Sequence, residues 1–330
     1  ERYPPDSEEC QYVQELEQKA EQGDESAQFA LGSWYAEGRY VKPDYKLAIK
    51  WLEKAGKQGS DFSYFILGYH YNYGENFPLS RQKALEWYRK AAELGDSSTQ
   101  EILGDAYMYG DGFPQNTQLA LEWYRRAAAQ GLAEAQDAIG VMFMQGEGVS
   151  QDYQQALAWY RKAARQGLPA AQTHLGIMSA FGRGVAQSDR QAIAWYRKAA
   201  KQDFAKAQYQ LGVAYSTGRG VPENSRNALK WYLKAAEQGF TPAQLALGEI
   251  YAHGRQGVPK DNKQAYIWYY MASIYTEKSK DDCSALIAER NRLKGTLTPD
   301  QLSETYAAFD LIRRKINQSK EAKKIARKKY

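Results

Sequence analysis

Apolar residues recur at helical spacing along most of the chain, in pairs of short segments. In Ala135-Gln-Asp-Ala-Ile-Gly-Val-Met-Phe143, the residues Ala135, Ala138, Ile139, Met142 and Phe143 follow i, i+3, i+4, i+7, i+8, one apolar helix face. Ala156, Trp159, Tyr160, Ala163 and Ala164 repeat that spacing. Between them lies Gly146-Glu-Gly-Val-Ser-Gln-Asp152, a glycine-rich turn ending in an aspartate placed to cap the next helix. The pattern predicts a helical hairpin.

The hairpin is repeated. A glycine preceded by Leu or Ile falls at Gly32, Gly68, Gly104, Gly140, Gly176, Gly212 and Gly248, at intervals of 36 residues. A second glycine follows six residues later, from Gly38 to Gly254. Trp51, Trp87, Trp123, Trp159, Trp195 and Trp231 keep the same interval, and Trp268 arrives one residue late because Gln256 is an extra residue in the preceding turn. A period of this length means a solenoid, in which short helices gain stability by burying their stripes on neighbours. A mid-helix glycine costs about 1 kcal/mol relative to alanine, so these glycines and the paired alanines such as Ala163-Ala164 are expected at close helix contacts.

The ends differ. Tyr12 to Gln22 reads as a helix stopping at Gly23 and covering the first repeat. Asp282 to Leu293 is a further expected helix, ending near Gly295. Thr298-Pro-Asp-Gln301 has the form of a capping box that opens a long C-terminal helix through Tyr306, Phe309 and Ile312. That helix should close the solenoid, and it is expected to project or fray past Arg314. The expected organisation is a lead-in over 1–23, repeats over 24–275 and a helical cap with a basic tail over 276–330.

The motif LGxxYxxGxGV followed by AxxWYxxAAxxG resembles the Sel1-like repeat, a relative of the tetratricopeptide repeat, over roughly Gly23 to Ala272. The resemblance implies an all-α, right-handed α/α solenoid of about seven hairpins. Three departures bear on local packing: Ser179 in place of an aromatic, Asp203 in place of a terminal glycine, and Gly74-Glu-Asn-Phe-Pro78 in place of the GxGV turn.

Composition adjusts this picture in a few places. The chain holds 26 Tyr against 10 Phe, which suits thin layers of amphipathic rings rather than one large apolar core. No run approaches the roughly 20 apolar residues of a membrane-spanning helix. The first residue is Glu1 rather than Met, which raises the expectation of a removed leader. Cys10 and Cys283 lie near opposite ends, too far apart in a stack of repeats for the roughly 7 Å that a disulfide spans between Cα atoms. The net charge of +5 is uneven, because Arg313 to Tyr330 carries +8 and the rest −3. Such a tail can be a solvated end, a nucleic-acid contact or an adhesion to anionic headgroups. The lack of interleaved aromatics other than Tyr330 disfavours nucleic acid.

Catalytic chemistry is not legible. His70, His174 and His253 occupy different repeats and different repeat positions, without the spacing of a zinc site. Gly146-Glu-Gly148 and its copies lack the strand and the GK[ST] of a phosphate loop. Asp44, Asp152 and Asp261 are expected as helix caps. No cofactor, metal or enzyme activity is expected. The invariant Trp residues read as packing, so the informative positions are those that vary between copies. By the family resemblance, positions −3, +1, +4 and +5 from the recurring glycine should face a concave surface. Among them Phe65, Tyr69, Tyr73, Met108, Tyr109, Met144, Phe181 and Tyr209 are richer in aromatic and Met character than solvent-facing positions should be, as in interface centres. They are the expected partner-binding residues. Known members of the family include envelope adaptors, host-interaction factors and immunity proteins against secreted antibacterial lipases. The resemblance therefore implies a non-enzymatic protein binder, with a periplasmic, lipid-anchorable immunity protein against a type VI phospholipase effector as the leading expectation. An envelope scaffold for secretion or polysaccharide assembly, or a host-interaction factor, stands as the alternative. The expected partner is thus a protein such as a lipase effector, not nucleic acid, with membrane association through the tail or a lost anchor.

Overall fold

The computed structural model describes residues 8–74, 76–255, 257–276 and 284–328, and they divide into two compact units, Glu1–Ala163 and Ala164–Tyr330. The regular structure among the described residues is α-helical, with a single isolated bridge between Arg255 and Val258. The first unit begins with α1 (Glu8–Glu21). It continues with the pairs α2 (Glu25–Glu37) and α3 (Tyr45–Lys57), α4 (Asp61–Tyr73) and α5 (Arg81–Leu94), α6 (Ser97–Tyr109) and α7 (Thr117–Ala129), and α8 (Ala133–Gln145) and α9 (Tyr153–Arg165). The second unit holds α10 (Pro169–Phe181) and α11 (Asp189–Ala200), α12 (Ala205–Thr217) and α13 (Ser225–Ala236), and α14 (Thr241–His253) and α15 (Asn262–Thr276). It ends with α16 (Ser284–Lys294) and α17 (Pro299–Lys328). These are the expected hairpins, in an all-α solenoid. The cysteine expectation falls outside the described residues, since nothing is described at Cys283.

Local chemistry starts and stops each helix. Asp44 accepts from the backbone N–H of Lys46 and Leu47, Asp152 from Gln154 and Gln155, and Asp261 from Gln264, so all three are caps. Most first helices end on the second glycine of the motif in the left-handed region, for example Gly146 at φ 78°. The departures are accommodated. Asp203 takes the left-handed conformation that glycine would (φ 54°). The buried Ser179 hydroxyl donates to the Leu175 carbonyl at 2.9 Å. In the irregular turn Phe77 is buried against His70 and Tyr71, while Asn76 donates to the Ala36 carbonyl.

The recurring glycine has one task. A Cβ at Gly140 would stand 2.6 Å from the ring of Tyr160, and at Gly104 it would stand 2.4 Å from the ring of Tyr124. Gly68 meets Tyr88, Gly176 meets Tyr196, Gly212 meets Tyr232 and Gly248 meets Tyr269 in the same way. At these six glycines the missing side chain makes room for the tyrosine that follows the repeat tryptophan, and at Gly32 it makes room for Leu52. These rings are almost fully buried, with Tyr160 at 1 % exposure. Gly140→Leu should destabilise the protein by about 1–3 kcal/mol or more through overpacking. A thermal melt checks this, and an unchanged midpoint would mean that Tyr160 has somewhere else to go.

A rail of buried glutamines ties successive hairpins together. Gln28 donates to the Ala20 carbonyl, Gln100 to that of Ala92 and Gln244 to that of Ala236, each eight residues back. The last-turn glutamine of the same hairpin then donates to it, Gln58 to Gln28 at 2.8 Å, Gln130 to Gln100, Gln202 to Gln172 and Gln238 to Gln208. Buried amides need such partners. Between Gln28 and Gln100 the rail is interrupted by three residues together. Tyr64 stands where the buried glutamine belongs, Leu94 where its donor belongs, and Gly56 where the following repeats have Ala92, Ala128, Ala164, Ala200 and Ala236. A Cβ at Gly56 would lie 2.4 Å from the Tyr64 ring, so the glycine makes room for the larger side chain.

The C-terminal helices close the second unit. The capping box forms as expected, with Thr298 N–H donating to Gln301 Oε1 at 3.0 Å and Gln301 N–H to Thr298 Oγ1 at 3.2 Å. Phe309 stacks on Tyr270 with centroids 4.2 Å apart, Ile316 is fully buried, and Lys315 pairs with Glu237 at 3.0 Å.

Candidate docking surface on the first helices

In the first unit the varying positions of α4, α6 and α8 gather aromatic rings beside acidic side chains. Tyr109 is 74 % exposed and Tyr73 46 %, so the +5 position points to solvent. Tyr69 is half-buried, with its ring centroid 4.6 Å from that of Tyr73. Phe65 is half-buried between Tyr88 and Phe62, the latter stacked on it at 5.6 Å and 10°. Phe62, 52 % exposed, and its neighbour Phe29 extend the patch. Phe62 was not among the expected residues. The signal was present, because none of the equivalent positions, Ser26, Ser98, Glu134, Ala170, Lys206 and Pro242, is aromatic.

Met108 corrects the expectation. It is 6 % exposed and packs with Ala120, Leu121 and Tyr124 in the core. The +4 position lies on the side of the first helix turned toward its own second helix. At the equivalent Asn72, Arg81 of α5 donates to the side-chain oxygen at 2.9 Å. Met144, at the same position, is half-buried. In the second unit Phe181 is 60 % exposed, whereas Tyr209 is half-buried against Tyr232 and Phe240.

Buried tyrosines reach this surface from below. The Tyr124 hydroxyl donates to Asp105 Oδ1 at 2.6 Å. Burial raises the Asp105 carboxyl above the usual carboxylate range, against the opposing pull of that hydrogen bond and of Arg81. Burial likewise pushes the phenols of Tyr88, Tyr124 and Tyr160 well above 10, helped by neighbouring Tyr73, Asp105 and Asp137 respectively. Burial first, then Asp105 and Glu147, raises Tyr109. Arg81 holds Asp111 through Nε and Nη2, both at 2.9 Å, and so braces α5 against the turn after α6.

The histidines lie apart: His70 is buried on Phe77, His174 is 3.5 Å from Lys206 Nζ, and His253 is exposed at the end of α14. No group of three or more His, Cys, Asp or Glu among the described residues could hold a metal ion. A polar cavity of about 430 Å³ is lined by Glu249, His253, Arg255, Tyr269 and Glu289. Glu289 there is engaged by Arg292 at 2.6 Å and 2.8 Å, which holds its carboxyl below the usual range.

Paired short helices, a buried tyrosine seated on six of the seven repeat glycines and variable rings on one helix face define an all-α repeat solenoid of the protein-binding class. The chain belongs to the Sel1 repeat family, whose model matches residues 25–60, 62–96, 97–132, 133–168, 169–204, 205–240 and 241–273. Among solved structures it is similar to a Sel1 repeat protein from Oxalobacter formigenes, with 34% identity and a TM-score of 0.72 over 87% of this chain and 81% of that one. It is also similar to c5321, a protective antigen of uropathogenic Escherichia coli, with 32% identity and a TM-score of 0.67 over 94% of this chain. The matched region spans 65% of the length of that antigen. The immunity protein Pa5087 of Pseudomonas aeruginosa is 23% identical over 60% of this chain and 75% of its own, with a TM-score of 0.46, too slight a likeness to bear on function. No curated protein matches the chain.

Proposed function

We propose that this protein is a non-catalytic docking solenoid that holds a protein partner on the first-helix face of Glu1–Ala163, around Phe62, Phe65, Tyr69, Tyr73 and Tyr109. The observation that carries the reading is the exposure of Tyr73 and Tyr109 at a position that varies between the repeats. Large exposed rings rimmed by carboxylates are typical of interface centres, because aromatics bury much area for little entropy. Met144 flanks this face, and Phe181 and Tyr209 are assigned contacts in the second unit; Met108 supports α6 from within instead of touching the partner.

The partner we assign is a secreted antibacterial phospholipase of the type VI class, which the protein neutralises in the periplasm. What supports that assignment is membership of a family that includes immunity proteins, not a feature of the face. The second reading is an envelope protein that faces the host. It is favoured by the 32% identity to a protective antigen. A photo-crosslinking residue at position 109 in living cells, followed by identification of the adduct, separates them. Immunity requires a phospholipase adduct and survival of cells that express that enzyme in the periplasm. Adducts with host or envelope proteins instead would establish the second reading, and the absence of any adduct from 109 and 73 would remove the docking face.

A further inference from the structure

In the hairpins of the first unit the two helices carry opposite charge. Helices α2, α4, α6 and α8 have formal charges of −2, −1, −2 and −2, whereas α3, α5, α7 and α9 have +3, +2, +1 and +3. The positive charge is concentrated on the exposed side of the second helices. Lys54 stands 4.5 Å from the ring centroid of Trp51, Lys90 3.9 Å from Trp87, Arg126 4.5 Å from Trp123 and Lys162 3.9 Å from Trp159. Beside this row Arg89, Arg125 and Arg161 are exposed as well. Lys90 also reaches Glu53 of the preceding second helix at 3.8 Å, so successive rows share one surface. Glu53 and Glu93 offset part of the charge through Lys57 and Arg89.

From this arrangement we infer that the second-helix face of Glu1–Ala163 rests on an anionic phospholipid surface. It uses residues other than the docking face and does not depend on that reading. Lys and Arg interchange freely in the row, as at Lys90, Arg126 and Lys162, which means that charge and not bidentate geometry is what the position supplies. A fluid headgroup layer presents smeared charge of that kind, and each cation near it contributes additively. The tryptophans are covered by the cations, so they offer no open platform on which bases could stack, which disfavours single-stranded nucleic acid. Adhesion through this face leaves the acidic, aromatic first helices directed at a protein partner. It also makes the repeat body, rather than the basic C-terminal tail, the membrane contact.

Co-sedimentation with vesicles tests this, using phosphatidylcholine with about one third phosphatidylglycerol, a composition chosen to supply the negative surface potential. The full chain should bind these vesicles at low salt, release at high salt, and ignore pure phosphatidylcholine. Arg125→Gln/Arg126→Gln/Arg161→Gln/Lys162→Gln should weaken binding by roughly a hundredfold or more, at about fivefold per cation. Lys57→Gln/Arg89→Gln/Arg125→Gln/Arg161→Gln leaves every cation over a tryptophan in place and should weaken it comparably, so a folding defect in the first variant would not spare the proposal. Replacing Lys320, Lys323, Lys324, Arg327, Lys328 and Lys329 by Gln should leave most of the binding intact. Three results would overturn it: equal affinity for neutral vesicles, loss with the tail variant but not the two face variants, or tighter binding to duplex DNA than to the anionic vesicles at the same salt.

Discussion

Between pH 10 and 12 the protein is expected to unfold cooperatively. Tyr88, Tyr124, Tyr160, Tyr196 and Tyr232 are at most 4 % exposed, each seated on a repeat glycine. Burial raises all five phenols, that of Tyr232 to about 12 and the other four further. The unfolded chain loses these protons near pH 10, whereas the folded chain keeps them. A raised folded-state value means that the stabilisation is complete below pH 10 and is lost as pH climbs toward the folded values. Each such group removes about 1.4 kcal/mol per pH unit, so five remove about 7 kcal/mol per unit. A typical stability of about 5–15 kcal/mol would be exhausted within one to two units. Tyrosinate absorbance and helical circular dichroism should therefore change together, and recover together on return to neutral pH. Gradual ionisation near pH 10 with helicity retained would show that the rings are more accessible than the fold implies.

The second large effect concerns the interrupted glutamine rail. Gly56→Ala alone should destabilise, because the new Cβ meets the Tyr64 ring at 2.4 Å. The overpacking costs about 1–3 kcal/mol, more than the ~1 kcal/mol that alanine gains over glycine in a helix interior. Tyr64→Gln alone should also destabilise, by removing a ring that stacks on Trp87 at 5.7 Å and lies under Lys90. Together with Leu94→Gln, the two changes reproduce the arrangement of the next repeat, in which Gln100 donates to the Ala92 carbonyl and Gln130 donates to Gln100. The triple variant should lie within about 1 kcal/mol of the parent, giving a coupling of about 2 kcal/mol within the range seen for residues in contact. Denaturant melts of the singles and the triple measure it. Additive losses would mean that the three positions are independent.

The architecture was readable because it repeats. Glycine, tryptophan and cap positions recur every 36 residues, and even the late arrival of Trp268 had a visible cause in Gln256. What the interval could not reveal was the division of labour inside the motif. Tryptophan and tyrosine are adjacent in every WY pair. Yet the tyrosine turns inward onto the glycine, while the tryptophan lies at the edge under a cation, as at Tyr160 and Trp159. The exposed face was partly legible. Tyr73, Tyr109 and Phe181 reach solvent, but Met108 turns inward, because +4 and +5 fall on either side of the boundary set by the second helix. Phe62 lies one turn before the −3 position, outside the four positions that the family resemblance assigns to the concave surface. The partner is hardest to read, because binding residues occupy positions where the repeat imposes nothing and no reacting group narrows the choice.

In the proposed docking, the first-helix rings are energetic contacts with a protein partner and not part of the fold. This is tested most directly by titration calorimetry of the crosslinked partner, once purified, against the parent and Tyr73→Ala/Tyr109→Ala, with a thermal melt of each. Tyr73 and Tyr109 are 46 % and 74 % exposed. Affinity should fall by roughly 2 kcal/mol or more, about thirtyfold, while the melting temperature stays nearly unchanged. Unchanged affinity would contradict it and move the interface to another face, and a large drop in melting temperature would show that these rings belong to the core.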